Sequence, residues 1–450
     1  MRQFGLMASK RKAPIVLLPI LFLLVLYSGT FHIWFREADF RWLGLLRDVH
    51  NLRDLLNALF QPVAQGTIRP WSEQGLFILS EYLFGLSAVP FRVVIFLTVA
   101  FDLLLLSFVT MRLTSSWLAA LVTTILWIGH PALVSSMTWF SCYNEVQYPA
   151  FILAALLLFI RYAETGRRAL WWFQFLIFVL GLGSLECEVV YPAIALSWIL
   201  LVHEASQRWF LIVRTLPMFA ASALYTILHQ VVAPVSSTGI YAPRFDTTIL
   251  LTLGEYLKWV LISSEWATNE LLGNAIRVIL SVALLGFSAL LFHKGRRGIL
   301  FPFAWFFIAL APLLPLPERR IEYYLTVPAM GFAMLGGWAV AYGWNSGGVR
   351  RIAAVTCTLL FLASSIPVIR TLEARYVEES RVSRNIIEGV QAAAASSPDK
   401  MLVLDGVTPD AYRVALGDDG LEVIGVTRWY LTPGSEEPIG LAFDSPSSPW

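Results

Sequence analysis

FRVVIFLTVAFDLLLLSFVTM, residues 91–111, decides the class of this chain. The run holds one carboxylate, Asp102, and one cation, Arg92, near its start. Crossing the hydrocarbon of a bilayer takes roughly 20 apolar residues, and this stretch supplies them. A helix that is apolar all round has no wet face, so it belongs in lipid or in a deep core. The rest of the chain decides between the two. Hydrophobic residues make up 57% and charged residues 14% of the 450, and the mean hydropathy is +0.66. A soluble domain is closer to a quarter charged, because its surface must stay wet. Many of the 17 Trp and 30 Phe flank apolar runs, where amphipathic rings favour the headgroup layer.

Working outward, similar runs recur near 14–35, 117–135, 147–163, 170–185, 190–203, 210–232, 276–292, 299–316, 325–343 and 352–370. The expected fold class is therefore an all-α polytopic membrane protein of about eleven spans. The basic N-terminus (Arg2, Lys10, Arg11, Lys12) precedes the first run, and Tyr27-Ser28-Gly29-Thr30 is a poor cleavage site, so that run reads as an uncleaved span. Placing the N-terminus inside makes every alternate connection short and basic. They contain Arg112; Arg161, Arg167 and Arg168; Arg208; Lys294, Arg296 and Arg297; Arg350 and Arg351. That is the positive-inside pattern, and it leaves the C-terminus outside. The outer side then receives long loops at 36–90 and 233–275 and a segment at 371–450, after a membrane domain over 1–370. In the C-terminal segment, Lys400 to Asp405 reads as a strand, Pro409 to Leu416 as a helix, and the Ser/Pro-rich end as frayed. A small α/β module is expected there.

Nucleic-acid binding is not indicated, for no basic stripe stands apart from the loops. Cys142, Cys187 and Cys357 form no CxxC pair and His32, His130 and His229 no His-x-x-x-His pair, so neither a disulfide framework nor a metal site is expected. Three outer places carry candidate chemistry. Glu37 and Asp39, just past the first run, are either a solvated end to the span or partly desolvated carboxylates suited to general-base work. Thr67 to Glu73 leads into apolar positions 76, 79, 83 and 86 at helical spacing, an amphipathic helix on the outer interface. Arg319 and Arg320, between two late spans, suit phosphate recognition or an ion pair with Glu318 or Glu322. Glu186 and Glu188 must face protein or water, and Asp102 is a helix–helix hydrogen bond in preference to a proton relay.

In order, these motifs resemble the multi-spanning glycosyltransferases of the GT-C superfamily, especially the protein O-mannosyltransferase-like branch that includes the tetratricopeptide-repeat transmembrane mannosyltransferases. Glu37-Ala38-Asp39 stands where the branch has an acidic pair. Arg69-Pro70-Trp71 through Gly85 and Pro90 is similar to its amphipathic helix. His130-Pro131 with Trp139 to Glu145, Ser184-Leu185-Glu186, and Glu318-Arg319 with Tyr323-Tyr324-Leu325, Pro328 and Gly331 follow in the same sequence. The departures are Glu-x-Asp for an adjacent pair, Leu185 for the usual Lys, and no repeats after the last span. The resemblance implies a GT-C-like helical bundle and an inverting glycosyltransferase. Its donor would be a polyprenyl-phosphate sugar, and the acceptor a glycan, lipid or protein hydroxyl on the non-cytoplasmic face, in a bacterial inner membrane. It implies Asp39 as base with Glu37 as fallback, Arg319 and Arg320 as the leading contacts of the donor phosphate, and Arg69 as a further phosphate contact or a loop anchor. Glu73 and Glu186 would orient the sugar or a basic partner, and Asn144 the substrate, with no cofactor or metal. A transporter or lipid flippase would instead want an internal repeat and several buried charges, and a non-catalytic membrane subunit remains the third reading.

Overall fold

The computed structural model describes residues 13–63, 67–203, 208–234, 238–266, 270–396, 401–417, 420–426 and 428–432. The basic cluster at Arg2 to Lys12, Lys400 and the Ser/Pro-rich end lie outside them. In chain order the helices are α1 Ala13–Leu26, α2 Asp39–Leu43, α3 Leu52–Phe60, α4 Gly75–Phe84, α5 Ala88–Thr114 and α6 Trp117–Ile128. Then come α7 Leu133–Thr138, α8 Asn144–Thr165, α9 Arg168–Gly181, α10 Tyr191–Leu201, α11 Arg208–Val232 and α12 Thr248–Trp259. The series continues with α13 Glu270–His293, α14 Phe301–Leu310, α15 Pro328–Ser346 and α16 Gly348–Ser396. A small unit, β1 Leu402–Asp405, α17 Pro409–Leu416 and β2 Trp429–Thr432, completes the described chain, its two strands parallel with Leu402 opposite Trp429.

Each apolar run of the sequence falls on a helix. Among the described residues, five helical segments are long and apolar enough to cross a bilayer by length and composition: Ala88–Thr114, Phe140–Thr165, Arg208–Val232, Glu270–His293 and Gly348–Ser396. Four further apolar segments are shorter. On α11 and α13, Leu224, Ile227, Val231, Val278 and Val282 are exposed, the apolar outer surface expected where lipid replaces water. Inside, buried Trp127 and Trp305 tie α6 and α14 to the start of α15, donating to the carbonyls of Thr326 (2.7 Å) and Val327 (2.9 Å).

Connections assigned to one side by charge do meet. At one end Arg112 pairs with Glu164, and Lys294 bonds Tyr342 at 2.8 Å. At the other, which carries the long loops, the Tyr27 hydroxyl donates to Ile128 O (3.1 Å), and Arg244 pairs with Glu318 at 3.1 Å. That end is called outer below.

One boundary differs from expectation. The helix anticipated at 352–370 runs on to Ser396, because the sequence past Arg370 loses its apolar residues but not its helical pairing. Arg370–Glu373 (2.8 Å), Arg381–Glu378 (2.5 Å) and Arg384–Glu388 (2.7 Å) are spaced to support a helix in water. Asp102 is a second correction. It lies fully buried in α5, and neither carboxylate oxygen bonds a protein group, so the interhelical bond expected of it does not form.

Close helix packing rests on small residues, as in membranes generally. Where α15 crosses α6, a Cβ on Gly337 would lie 2.5 Å from the Ala119 carbonyl oxygen and 2.8 Å from the Thr123 amide. Both obstacles are backbone and cannot swing away. Gly337→Val should therefore cost at least the roughly 1–3 kcal/mol of an overpacked core, read as lower melting temperature and less monodisperse protein in detergent.

Candidate active site

The outer end is built from the first outer loop, the start of α8, the α9–α10 connection and the α14–α15 connection. Past α1 the chain turns through Phe35 to α2. Asp39 is fully buried. Its Oδ2 accepts the Arg36 amide (3.1 Å), and its Oδ1 accepts both the amide (2.8 Å) and hydroxyl (2.6 Å) of Ser141. Burial pushes its pKa up to about 6, against the lowering by these bonds and by Arg36. With its lone pairs so engaged, Asp39 pins the loop to the turn before α8.

Glu37 differs from it in each respect. Its φ is 48°, a conformation costing a non-glycine residue on the order of 1–3 kcal/mol and held only by its surroundings. Its side chain is 34% exposed, with one oxygen 2.8 Å from Arg36 Nη1. Burial raises its pKa, Arg36 opposes the rise, and Glu379 adds to it. Arg36 itself is buried, lies 4.1 Å from the Tyr376 ring centre and 5.1 Å from that of Trp139, and also bonds Glu379 at 3.1 Å.

Arg69 begins the second cluster. Pro70 opens a single π turn, Pro70–Gln74, whose start is fixed by the Arg69 amide donating to Gln74 Oε1 (3.0 Å). The turn docks on the end of α9: Trp71 Nε1 donates to Leu180 O (2.9 Å) and Ser72 Oγ to Ser184 O (2.5 Å). This brings Arg69 between Glu73 (2.6 Å) and Glu186, which it grips through Nε and Nη2 at 2.9–3.1 Å. Asn144 donates to Glu73 Oε1 at 3.0 Å, and His229 stands 3.8 Å from Glu186. Burial alone would discharge Arg69, but Glu186 and Glu73 outweigh it and hold the guanidinium charged. Burial acts on Glu186 too, yet the bidentate Arg69 overrides it and the pKa falls to about 2. On Glu73 burial wins, raising the pKa to about 7, for its Oε2 is buried without a partner. Arg69 is thus saturated by Glu73 and Glu186, the arrangement of a loop anchor and not of a phosphate contact, and Asn144 braces Glu73. Glu188 is fully buried against Gly181 with both oxygens unbonded.

The third cluster is at Arg319 and Arg320. The alternative of an ion pair with Glu318 or Glu322 does not form. Glu318 pairs with Arg244, and Glu322 accepts Ser263 Oγ (2.8 Å) and the amide (3.2 Å) and hydroxyl (2.8 Å) of Ser264. Arg319 instead donates to the hydroxyls of Tyr324 and Tyr323, both at 3.2 Å, with its guanidinium 4.4 Å from the Tyr241 ring centre. Arg320 is exposed. Burial pushes Glu322 up to about 7 despite its serine partners. A raised carboxylate contributes stability that is full below its unfolded value of 4.5 and lost as pH rises through about 7. Glu322→Gln keeps the acceptor and removes the charge. Its melting temperature should exceed the parent's at pH 8, and the two should converge near pH 4.5 in thermal unfolding.

Two groups link the clusters electrostatically. Tyr241, stacked on Arg319, also lies within the electrostatic reach of Arg69, Glu73 and Cys142. Cys142 in turn lies within reach of Asp39, Arg36, Glu73 and Glu145. Below, an apolar groove of about 310 Å³ runs between α6, α13, α15 and α16, from His130 and Val260 at the outer end to Arg350 at the other, lined by Leu284, Phe287, Phe332 and Phe361. Val260 accepts His130 Nε2 at 3.1 Å, while His130 Nδ1 takes the Ala132 amide, so the ring carries its proton on Nε2. Among the described residues no group of three His, Cys, Asp or Glu side chains is arranged to hold a metal ion. Sequence reasoning missed Arg36, Tyr241, Arg244, Ser141 and His229 as members of the site. Tyr241 and Arg244 had one signal, their place in a long outer loop.

Comparison with known proteins gives the fold. No family model matches the chain, and no curated protein matches it in sequence. Among solved structures, the Archaeoglobus fulgidus oligosaccharyltransferase tethered with an acceptor peptide is similar over 97% of this chain, with a TM-score of 0.54 at 13% identity. The archaeal oligosaccharyltransferase AglB from the same organism, in complex with an inhibitory peptide and a dolichol-phosphate, is similar over 96% with a TM-score of 0.50 at 13% identity. The chain spans 61% of the length of each. The bundle therefore has the GT-C fold of these oligosaccharyltransferases.

Proposed function

We propose that this chain is an inverting GT-C glycosyltransferase that moves a sugar from a polyprenyl-phosphate carrier to an acceptor hydroxyl on the outer face of its membrane. The observation that carries the reading is that a bundle of GT-C fold presents at its outer end both a partly exposed carboxylate, Glu37, and an exposed guanidinium, Arg320. The apolar groove supports it. Val260 lines the groove's outer end, and Ser263, three residues on, holds Glu322 beside the two arginines. An isoprenoid tail in the groove would deliver its phosphate toward Arg320 and Arg319, where charge-assisted bonds favour the leaving dianion. AglB in complex with a dolichol-phosphate gives the precedent for a lipid phosphate in such a bundle.

The acceptor, a glycan, lipid or protein hydroxyl, arrives from water. Glu37 takes the hydroxyl proton as the new glycosidic bond forms, and the sugar–phosphate bond breaks with its electron pair leaving on the carrier phosphate. In this reading Asp39, fully buried and bonded three times, serves as a positioning group, and Glu37, the fallback of the sequence reading, takes the base role. Arg69 anchors the loop. This chemistry calls on no cofactor. Eleven crossings with the N-terminus inside, and a bacterial inner membrane, complete the proposal.

Lipid-linked sugar profiling in a host strain lacking the gene tests it. One polyprenyl-phosphate sugar should accumulate and return to its parental level on complementation. Unchanged lipid-linked sugars, or loss of solute uptake instead, would contradict it and favour a transporter.

A further inference from the structure

The mechanism above leaves unused a built contact between the C-terminal unit and the first outer loop. Glu37 donates its backbone N–H to the carbonyl of Ala415 in the last turn of α17 at 3.0 Å. The same oxygen accepts the hydroxyl of fully buried Ser383, from the part of α16 that extends past its apolar stretch, at 2.7 Å. Gly417, just past α17 at φ +65°, lies so close that an added Cβ would meet the Glu37 carbonyl oxygen at 3.1 Å. On the side-chain face, Arg36 Nη1 reaches both Glu37 and Glu379 of α16 while its guanidinium rests on Tyr376. Thus the one acidic residue held at positive φ among the described residues is gripped, directly through its backbone and through Arg36 on its side chain, by Ala415 and Glu379 far along the chain.

We propose that the C-terminal unit, with the distal part of α16, is a positioning element for Glu37, and that Ser383, Glu379 and Gly417 act on turnover through that carboxylate. The inference rests on Glu37 being the acceptor base. Misplacement of a reacting group by about 1 Å costs on the order of 10²-fold, so loosening this grip should be felt in kcat. The charged groups acting on Glu37 are Arg36 and Glu379, and Glu379 is itself approached by Arg375 at 3.7 Å, which stands 3.8 Å from Glu265. Neutralising Glu379 leaves Arg36 to act on Glu37 alone, which makes Glu37 more acidic.

The test uses the full chain in lipid nanodiscs. Ser383→Ala should lower kcat by at least about 10-fold with little change in donor KM. Glu379→Gln, which can still accept from Arg36, should move the acid limb of the kcat/KM profile to lower pH, a shift that loss of structure alone would not produce. Hydrogen exchange at residues 35–39 supplies a readout independent of turnover, and Gly417→Ala should speed it. An active parent whose Ser383→Ala kcat stays within twofold and whose Glu379→Gln acid limb does not move would overturn the inference. A parent inactive on every polyprenyl-phosphate sugar would overturn the assigned function, and exchange at 35–39 would still decide the positioning: faster in Gly417→Ala supports it, unchanged overturns it.

Discussion

Arg69→Ala should lower the stability of this protein by roughly 3–5 kcal/mol, the usual cost of removing one partner from a buried ion pair. Arg69 stands between Glu73 and Glu186 and joins the first outer loop to the α9–α10 connection across more than a hundred positions of chain. Without it, two desolvated carboxylates face each other beside Asn144 and His229. The sign of the pH dependence follows from Glu186, whose pKa is depressed to about 2. A depressed carboxylate contributes stability that is present above its unfolded value and lost as pH falls through the folded one. The gap between parent and variant should therefore be widest near neutrality and narrow below pH 4.5. Neutral partners should relieve the defect, so Arg69→Met with Glu73→Gln and Glu186→Gln should recover most of the lost melting temperature. An Arg69→Ala protein within about 1 kcal/mol of the parent would mean the cluster is wetter than its burial implies.

Glu37→Gln should reduce sugar transfer by about 10²–10⁴-fold, the usual contribution of a general base, while leaving insertion and melting temperature near the parent's. Gln keeps the side-chain bond to Arg36 and leaves the backbone bond to Ala415 untouched. Asp39→Asn should behave differently. The amide would place an N–H where Oδ1 or Oδ2 now accepts from Ser141 or Arg36, so it should lower melting temperature as well as rate. Comparing the two variants by rate and by thermal unfolding separates the reacting carboxylate from the one that holds the loop. Loss of rate without loss of stability in Asp39→Asn, with Glu37→Gln active, would restore Asp39 as base.

The helices were legible because lipid demands apolar side chains along each run, and composition reports that directly. The extension of α16 to Ser396 was hidden because hydropathy ends where lipid ends, while helical pairing such as Arg384–Glu388 continues in water. The site was legible only as a set of places. Glu37, Asp39, Arg69, Glu73, Asn144, Glu186, Arg319 and Arg320 all stand out by type and position, but their partners do not. That Arg69 would be claimed by Glu186, and Arg319 by tyrosine hydroxyls instead of its neighbours Glu318 and Glu322, depends on how distant segments dock. Two acids separated by one residue likewise look equivalent in sequence. A positive φ at Glu37 turns one outward while Ser141 buries the other.

The most direct measurement is release of polyprenyl phosphate by the purified, nanodisc-reconstituted chain, supplied with a panel of polyprenyl-phosphate sugars and hydroxyl acceptors. The expected result is acceptor-dependent release from at least one donor, weakened by Arg320→Ala and lost in Glu37→Gln. Release that is absent across the panel, or equal in parent and Glu37→Gln, would contradict the account.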